Sequence, residues 1–328
     1  VFPPADSRAG DLVIADIGIP APILDDLEGP HLELLTRERM QGILPGRPAE
    51  SHKGDFGRVL IVAGSVGKTG AAHLSALGAL RSGAGLVTVA TPRSALPILP
   101  SMGAEYMTVP LEETPTGTVD FAALDRVLEL QADVIAVGPG LGQDPGTAVF
   151  VHGLLERVGV PLVIDADALN AFGGDPDRLV GRDGLEVVIT PHPGEMARLL
   201  NGTVEAIQHD RLAHAREFAA AHRVHVVLKG HRTIIAGPDG RSFVNLTGNP
   251  GMATGGTGDL LTGMIAAWFA QLLDAEAACK LSVYLHGAAG DLAEAECGQT
   301  ALIASDVAAR LGDAMLELSG RRGSPDAD

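Results

Sequence analysis

The stretch Thr254-Gly255-Gly256-Thr257-Gly258-Asp259 opens an apolar segment with helical spacing that runs to Ala270. Glycines before a helix let several backbone N–H groups converge on one anion. The helix dipole adds roughly 0.3–2 kcal/mol per anion. Gly256 and Gly258 are the expected donors. Asp259 sits at the helix start, where aspartate serves well as a cap. A carboxylate beside an anion site repels phosphate unless it has another task. Taking a proton from a hydroxyl nucleophile is such a task, typically worth ~10²–10⁴-fold. The hydroxyl then attacks a phosphoryl group whose charge the amides stabilise. Asp259 thus reads as cap or as general base. Lys229, ending an apolar run, reads as a point charge on a phosphate or as a solvated surface lysine.

A second glycine-rich stretch, IVAGSVGKTGAAH at 61–73, tests poorly as a phosphate loop. A Walker loop places a glycine five residues before its Gly-Lys pair. Here that position is Val62, inside an apolar run, and Gly64 leaves too short a loop. Small residues at Gly70-Ala71-Ala72 suit a tight strand-to-helix turn, or leave room for a flat substrate at the strand end.

Positioning these groups requires a sheet. Apolar runs recur at 59–64, 86–91, 134–139, 162–166, 187–191 and 225–229, alternating with helical spacing at 70–82, 120–131, 146–158 and 205–222. Continuous apolar strands alternating with helices predict an α/β fold, a mostly parallel sheet covered on both faces. Ligands then bind beyond the carboxyl ends of the strands. The polar clusters Gly138–Gly142, Asp165–Asn170, Thr190–Glu195 and Lys229-Gly230 all fall at such ends. A hairpin is expected from 232–236 and 241–246, with helices near 275–296 and 305–319. Residues 11–20 read as a strand, 31–50 as a short helix and linker, and Arg321 to Asp328 as a disordered tail.

The chain has 328 residues with a net charge of −17, which disfavours nucleic acid and anionic membranes as partners. No apolar run has membrane-spanning length. Two cysteines do not form a disulfide framework, so the cytoplasm is the expected location.

Taken in order, HKGDFG (52–57), GAGLVTVATP (83–92), VGPGLG (137–142), DADALN (165–170), TPHPGE (190–195), LKG (228–230) and NPGMATGGTGD (249–259) resemble the NAD(P)H-hydrate dehydratase family over residues 35–318. The resemblance implies a ribokinase-like fold across 31–320. It implies repair of hydrated NADH and NADPH: a nucleotide phosphorylates the C6 hydroxyl, and phosphate leaves. ADP is the expected co-substrate, with ATP as the alternative, and Mg²⁺ accompanies it with no protein ligand named. By the same resemblance Asp259 is the base and touches substrate, and Gly258 lies against the nucleotide. Lys229, Gly230, His231, Arg232 and Thr233 bind the nucleotide. His192, Gly140 and either Ala71 or Ala72 touch the hydrated dinucleotide. His192 also reads as a residue that fixes a loop, and Glu195 as a helix cap or a holder of water around Mg²⁺. Residues 11–20 (DLVIADIGIP) resemble the last strand of an NAD(P)H-hydrate epimerase domain, the expected functional partner, without its catalytic part, so that 1–30 read as a remnant of that domain or as an unrelated extension. Family members form tetramers, so a homo-oligomer is expected. The rival readings are an alcohol kinase of the thiazole or pyrimidine type and a nucleotide sensor without chemistry.

Overall fold

The computed structural model describes residues 31–320 together with 8, 15, 17–20, 22 and 23. The expected strand at 11–20, the remnant reading of 1–30 and the tail from 321 lie wholly or largely outside the described residues.

Among the described residues, ten strands form one sheet: β1 (Leu32–Leu35), β2 (Arg58–Val62), β3 (Leu86–Pro92), β4 (Met107–Leu111), β5 (Val134–Val137), β6 (Leu162–Ile164), β7 (Val187–Ile189), β8 (His225–Leu228), β9 (Ile234–Ala236) and β10 (Ser242–Asn245), in the order β1-β10-β9-β8-β7-β6-β5-β2-β3-β4. Every neighbouring pair is parallel except β8–β9 and β9–β10, which are antiparallel. The expected hairpin is therefore present. Alternate residues of β2 enter opposite cores: Val59 and Ile61 one, Leu60 and Val62 the other. That is how a strand buried on both faces reads as an unbroken apolar run.

The longer helices are α1 (Arg37–Ile43), α2 (Thr69–Arg81), α3 (Pro145–Arg157), α4 (Pro193–Leu199), α5 (Arg211–His222), α6 (Thr257–Leu272), α7 (Ala275–Ala301) and α8 (Ala304–Leu318). Helices α2, α6, α7 and α8 cover one face, and α3 and α5 the other. Three sequence expectations need correction. Residues 31–50 contain strand β1 as well as α1. The helix expected over 205–222 is two helices, because Asp210 breaks the first and caps the second, accepting from Ala213 N–H at 3.0 Å. The helix expected over 120–131 is a 3-10 turn, Phe121–Ala123, followed by a short helix, Leu124–Glu129, whereas the backbone of α7 breaks at Gly298 (φ 73°), close to its expected end.

Helices α2 and α6 touch backbone to backbone. A methyl group at Gly263 would collide with the Ser75 carbonyl, and one at Gly78 with the Leu260 carbonyl. Both helices start at the carboxyl end of the sheet. There the strand order reverses between β2 and β5, and Gly64 N–H donates to Pro139 C=O at 2.8 Å. Such a switch point is where open α/β sheets bind ligands.

Candidate active site

Helix α6 begins after Gly256, whose φ of 94° suits glycine alone. A side chain there would also strike Leu74. Thr257 Oγ1 donates to the Met252 and Thr254 carbonyls, each at 3.0 Å, and so ties the loop to the helix. The first N–H groups of any helix lack intrahelical partners, and the dipole favours an anion beside them. No side chain caps this helix. Asp259, in its first turn, is therefore not a cap, and that reading of the sequence falls away. Burial pushes the Asp259 carboxyl up to about 6. Asp165 adds to the rise, Lys229 opposes it, and Asp167 adds a little more.

Lys229 follows β8 and is 18% exposed, so it is not a solvated surface lysine. Its Nζ lies 2.6 Å from Asp165 Oδ1 and 3.8 Å from Glu195 Oε2. A methyl at Gly258 would rest 3.4 Å from that Nζ, so the ammonium reaches the helix start. Burial works against its charge, but Asp165, Glu195 and Asp259 more than reverse this and hold its pKa high. Asp165 is 1% exposed and also accepts from Thr262 Oγ1 on α6 at 2.6 Å. A buried charge in such a cluster needs every partner.

The turn after Lys229 is held from below. Arg211 on α5 donates to the carbonyls of Leu228 (2.9 Å), Lys229 (3.0 Å) and His231. Burial lowers its pKa to about 10. Thr233 Oγ1 closes the turn on the Gly230 carbonyl at 2.9 Å. Lys229 to Thr233 form one wall of a cavity of about 700 Å³; Thr257 and Gly258 form its floor, and the coil from Asn245 to Met252 its other wall. His192 reaches its rim, and His286 on α7 lines it, neutral because burial drives its pKa to about 4.

Asp259 and Gly256 are not in the lining of this cavity. The charges that act on Asp259 include Asp167, which accepts from Gly142 N–H (2.8 Å), Lys68 Nζ (3.1 Å) and Gln143 Nε2 (3.3 Å). Burial raises the Asp167 pKa, but these donors outweigh it and leave it lowered. Lys68 is thus paired on the side of β2 and β5, away from the cavity lining. Gly140 (φ 65°) lies against α2: a methyl on it would come within 2.8 Å of the Lys68 carbonyl and 3.0 Å of Ala71 Cβ. Ala71 is part-exposed, whereas Ala72 is buried, where a methyl at Gly64 would meet its Cβ at 3.1 Å. Of the two alanines, only Ala71 is at the surface.

His192 caps α4: its Nδ1 accepts from Gly194 N–H (2.9 Å) and Glu195 N–H (3.3 Å). Glu195 Oε2 accepts from His192 N–H in return, at 2.7 Å. This reciprocal box assigns the ring proton to Nε2. Burial, Lys229 and Arg198 keep the ring neutral against the pull of Asp165. Half of the side chain stays exposed, and Nε2 faces Glu195 Oε1 at 3.5 Å. Burial raises the Glu195 carboxyl, although Lys229 opposes it. A larger cavity of about 1060 Å³, lined by Arg47, Trp268 and Met315, opens at the amino ends of the strands and holds none of these groups.

A family model described as NAD(P)H-hydrate dehydratase matches residues 59–311. The chain belongs to the NAD(P)H-hydrate dehydratase family. Its fold is ribokinase-like, as expected. A bifunctional NAD(P)H-hydrate repair enzyme of Moorella thermoacetica is 50% identical over 309 residues, covering 94% of this chain and 58% of that protein. The chain therefore spans little more than half of that relative. An ADP-dependent (S)-NAD(P)H-hydrate dehydratase of Bacillus subtilis is 38% identical over 274 residues, covering 83% of this chain and 94% of that one. The crystal structure of a Bacillus subtilis ADP/ATP-dependent NAD(P)H-hydrate dehydratase, co-crystallised with ATP/Mg²⁺, superposes with a TM-score of 0.78 at 34% identity, covering 87% and 98% of the two chains. Two features of this dehydratase-family site were not legible from the motifs: the Asp165 partner of Lys229, and Arg211 beneath the 228–231 turn. The DADALN cluster pointed to the neighbourhood of the first; nothing near Arg211 marks the second.

Proposed function

We propose that this chain restores NADH and NADPH from their hydrated forms at the expense of a nucleotide. Asp259 takes the proton of the C6 hydroxyl, whose oxygen attacks the terminal phosphorus of ADP; AMP leaves. The new phosphate ester then departs from C6 while a proton is lost from the neighbouring carbon, and the ring double bond returns. The N-terminal amides of α6, at Gly256 and Gly258, receive the charge that develops on the phosphoryl oxygens. The nucleotide occupies the cavity along Lys229, Gly230, His231, Arg232 and Thr233. The hydrated dinucleotide lies on Gly140, Ala71 and His192. One observation carries this reading. A carboxylate poised near pH 6 stands in the first turn of a phosphate-ready helix without capping it, beside a nucleotide-sized cavity.

The Bacillus relatives named ADP-dependent and ADP/ATP-dependent support a nucleotide co-substrate, with ADP common to both names. Among the described residues no three His, Cys, Asp or Glu side chains converge on a metal-sized site. A Mg²⁺ bound with the nucleotide would hold phosphate and water oxygens and neutralise their charge. The bifunctional repair name of the Moorella relative supports an NAD(P)H-hydrate epimerase as functional partner. Incubation with hydrated NADH and either ADP or ATP tests the reading. Return of the reduced-nicotinamide absorbance with AMP release is expected. A stable phosphorylated alcohol without that return would instead make the chain a kinase and overturn the proposal.

A further inference from the structure

The wall of the 700 Å³ cavity opposite Lys229 is a coil with little regular structure, and α7 carries it. Gly287 and Gly290 admit the coil closely: a methyl on the first would collide with Thr247 and one on the second with Met252. Thr247 Oγ1 donates to the Tyr284 carbonyl at 2.9 Å. One turn of helix beyond Gly287, Asp291 offers both carboxylate oxygens. Oδ2 accepts from Gly248 N–H at 2.9 Å, and Oδ1 accepts from Asn249 Nδ2 at 3.1 Å. Asn249 Oδ1 in turn accepts from Gly251 N–H at 3.0 Å and caps the turn Pro250–Met252. The Met252 carbonyl then receives the Thr257 hydroxyl at 3.0 Å. An unbroken chain of hydrogen bonds thus runs from Asp291 through the cavity wall to the first residue of α6.

We infer that Asp291 is a positioning residue for the nucleotide. It holds the wall from Gly248 to Met252 and, through Thr257, the register of the phosphate-binding amides. The inference rests on the cavity being the nucleotide site. Asp291 is not in the cavity lining, so its loss acts through the wall it holds rather than through a contact of its own with the nucleotide.

The polarity of the Asp291–Asn249 contact supplies the test. Asp291→Asn sets two amide groups face to face, and Asn249→Asp sets two carboxylates face to face. The double variant rebuilds every bond: Asn at 291 accepts from Gly248 N–H and donates to Asp at 249, whose other oxygen still accepts from Gly251 N–H. A hydrogen bond to a charged group is worth roughly ten- to a hundredfold in affinity. Each single variant should therefore raise the ADP KM by about tenfold or more, a larger effect than on kcat. The double variant should return KM close to the parent value. Asn249→Ser, which keeps the cap on Gly251 but loses the donor to Asp291, gives a milder variant should a charge-altered single not fold. Unchanged KM in the singles, or a double no better than the worse single, would overturn the role of Asp291. Calorimetric titration of the parent protein with ADP and with ATP separates this from failure of the site itself. Binding by the parent alongside indifferent variants sinks only the inference. No binding by the parent sinks the nucleotide reading and the inference together.

Discussion

Replacing Asp259 by asparagine should make the protein more stable and nearly inactive. The buried carboxyl titrates at about 6 in the fold against 3.8 when unperturbed, a rise of about 2 pK units. At about 1.4 kcal/mol per unit, holding the carboxylate ionised at pH 7 costs the fold about 3 kcal/mol. Because the folded pKa is the higher one, the folded state binds the extra proton. This contribution to stability is full below about pH 4 and is lost as pH rises through 6. Asparagine, neutral and nearly isosteric, removes the cost at pH 7, which should lift the melting temperature by roughly 5 °C. It cannot accept the proton, so turnover should fall ~10²–10⁴-fold. Differential scanning calorimetry at pH 5 and pH 7 reads the first effect, with the gain over the parent shrinking toward pH 5. The NADH-recovery assay reads the second, and kcat/KM of the parent should rise with pH through about 6. A variant that melts lower at pH 7 and turns over within tenfold of the parent would refute both the desolvation argument and the base.

Lys68→Ala should leave ADP affinity within about twofold in calorimetric titration, because Lys68 pairs with Asp167 and is not in the cavity lining; a tenfold loss would restore the phosphate-loop reading of 61–73. Gly263→Ala drives a methyl into the Ser75 carbonyl. It should cost about 1–3 kcal/mol of stability by overpacking, seen in denaturant titration, and lower kcat more than the nucleotide KM, since the displaced pair is the one that carries Ala71 and Asp259.

The central strands were plain in the sequence because both of their faces are buried, so each reads as an apolar run. The edge strands were not. In β4 (MTVPL), Pro110 interrupts the pattern, as an edge strand allows. In β1 (LELL), the run is short and merges with the helix that Thr36 caps, its hydroxyl accepting from Arg39 N–H at 3.4 Å. The site divides in the same way. Asp259 and Lys229 stood out because a carboxylate beside bare amides, or a lysine closing an apolar strand, is unusual in itself. What decides their behaviour is distant in the chain. Asp165 lies 64 residues before Lys229 and Thr262 lies 97 beyond Asp165, and no local spacing announces that β6, β8 and α6 bring all three together. His192 could be read either as functional or as a loop anchor. The fold shows the anchor, with Nδ1 capping the helix and Nε2 facing Glu195 Oε1 at 3.5 Å on a half-exposed ring.

The contacts of Gly78 with Leu260 and of Gly263 with Ser75, across α2 and α6, fix more than packing. Two main chains in direct touch leave no rotamer between them and so no hinge. The separation of the Ala71 and Asp259 main chains is dictated by backbone alone. On the proposed reading, the hydrated dinucleotide must match that gauge as it stands. Any yielding that entry or release demands must come from parts of the site other than this helix pair.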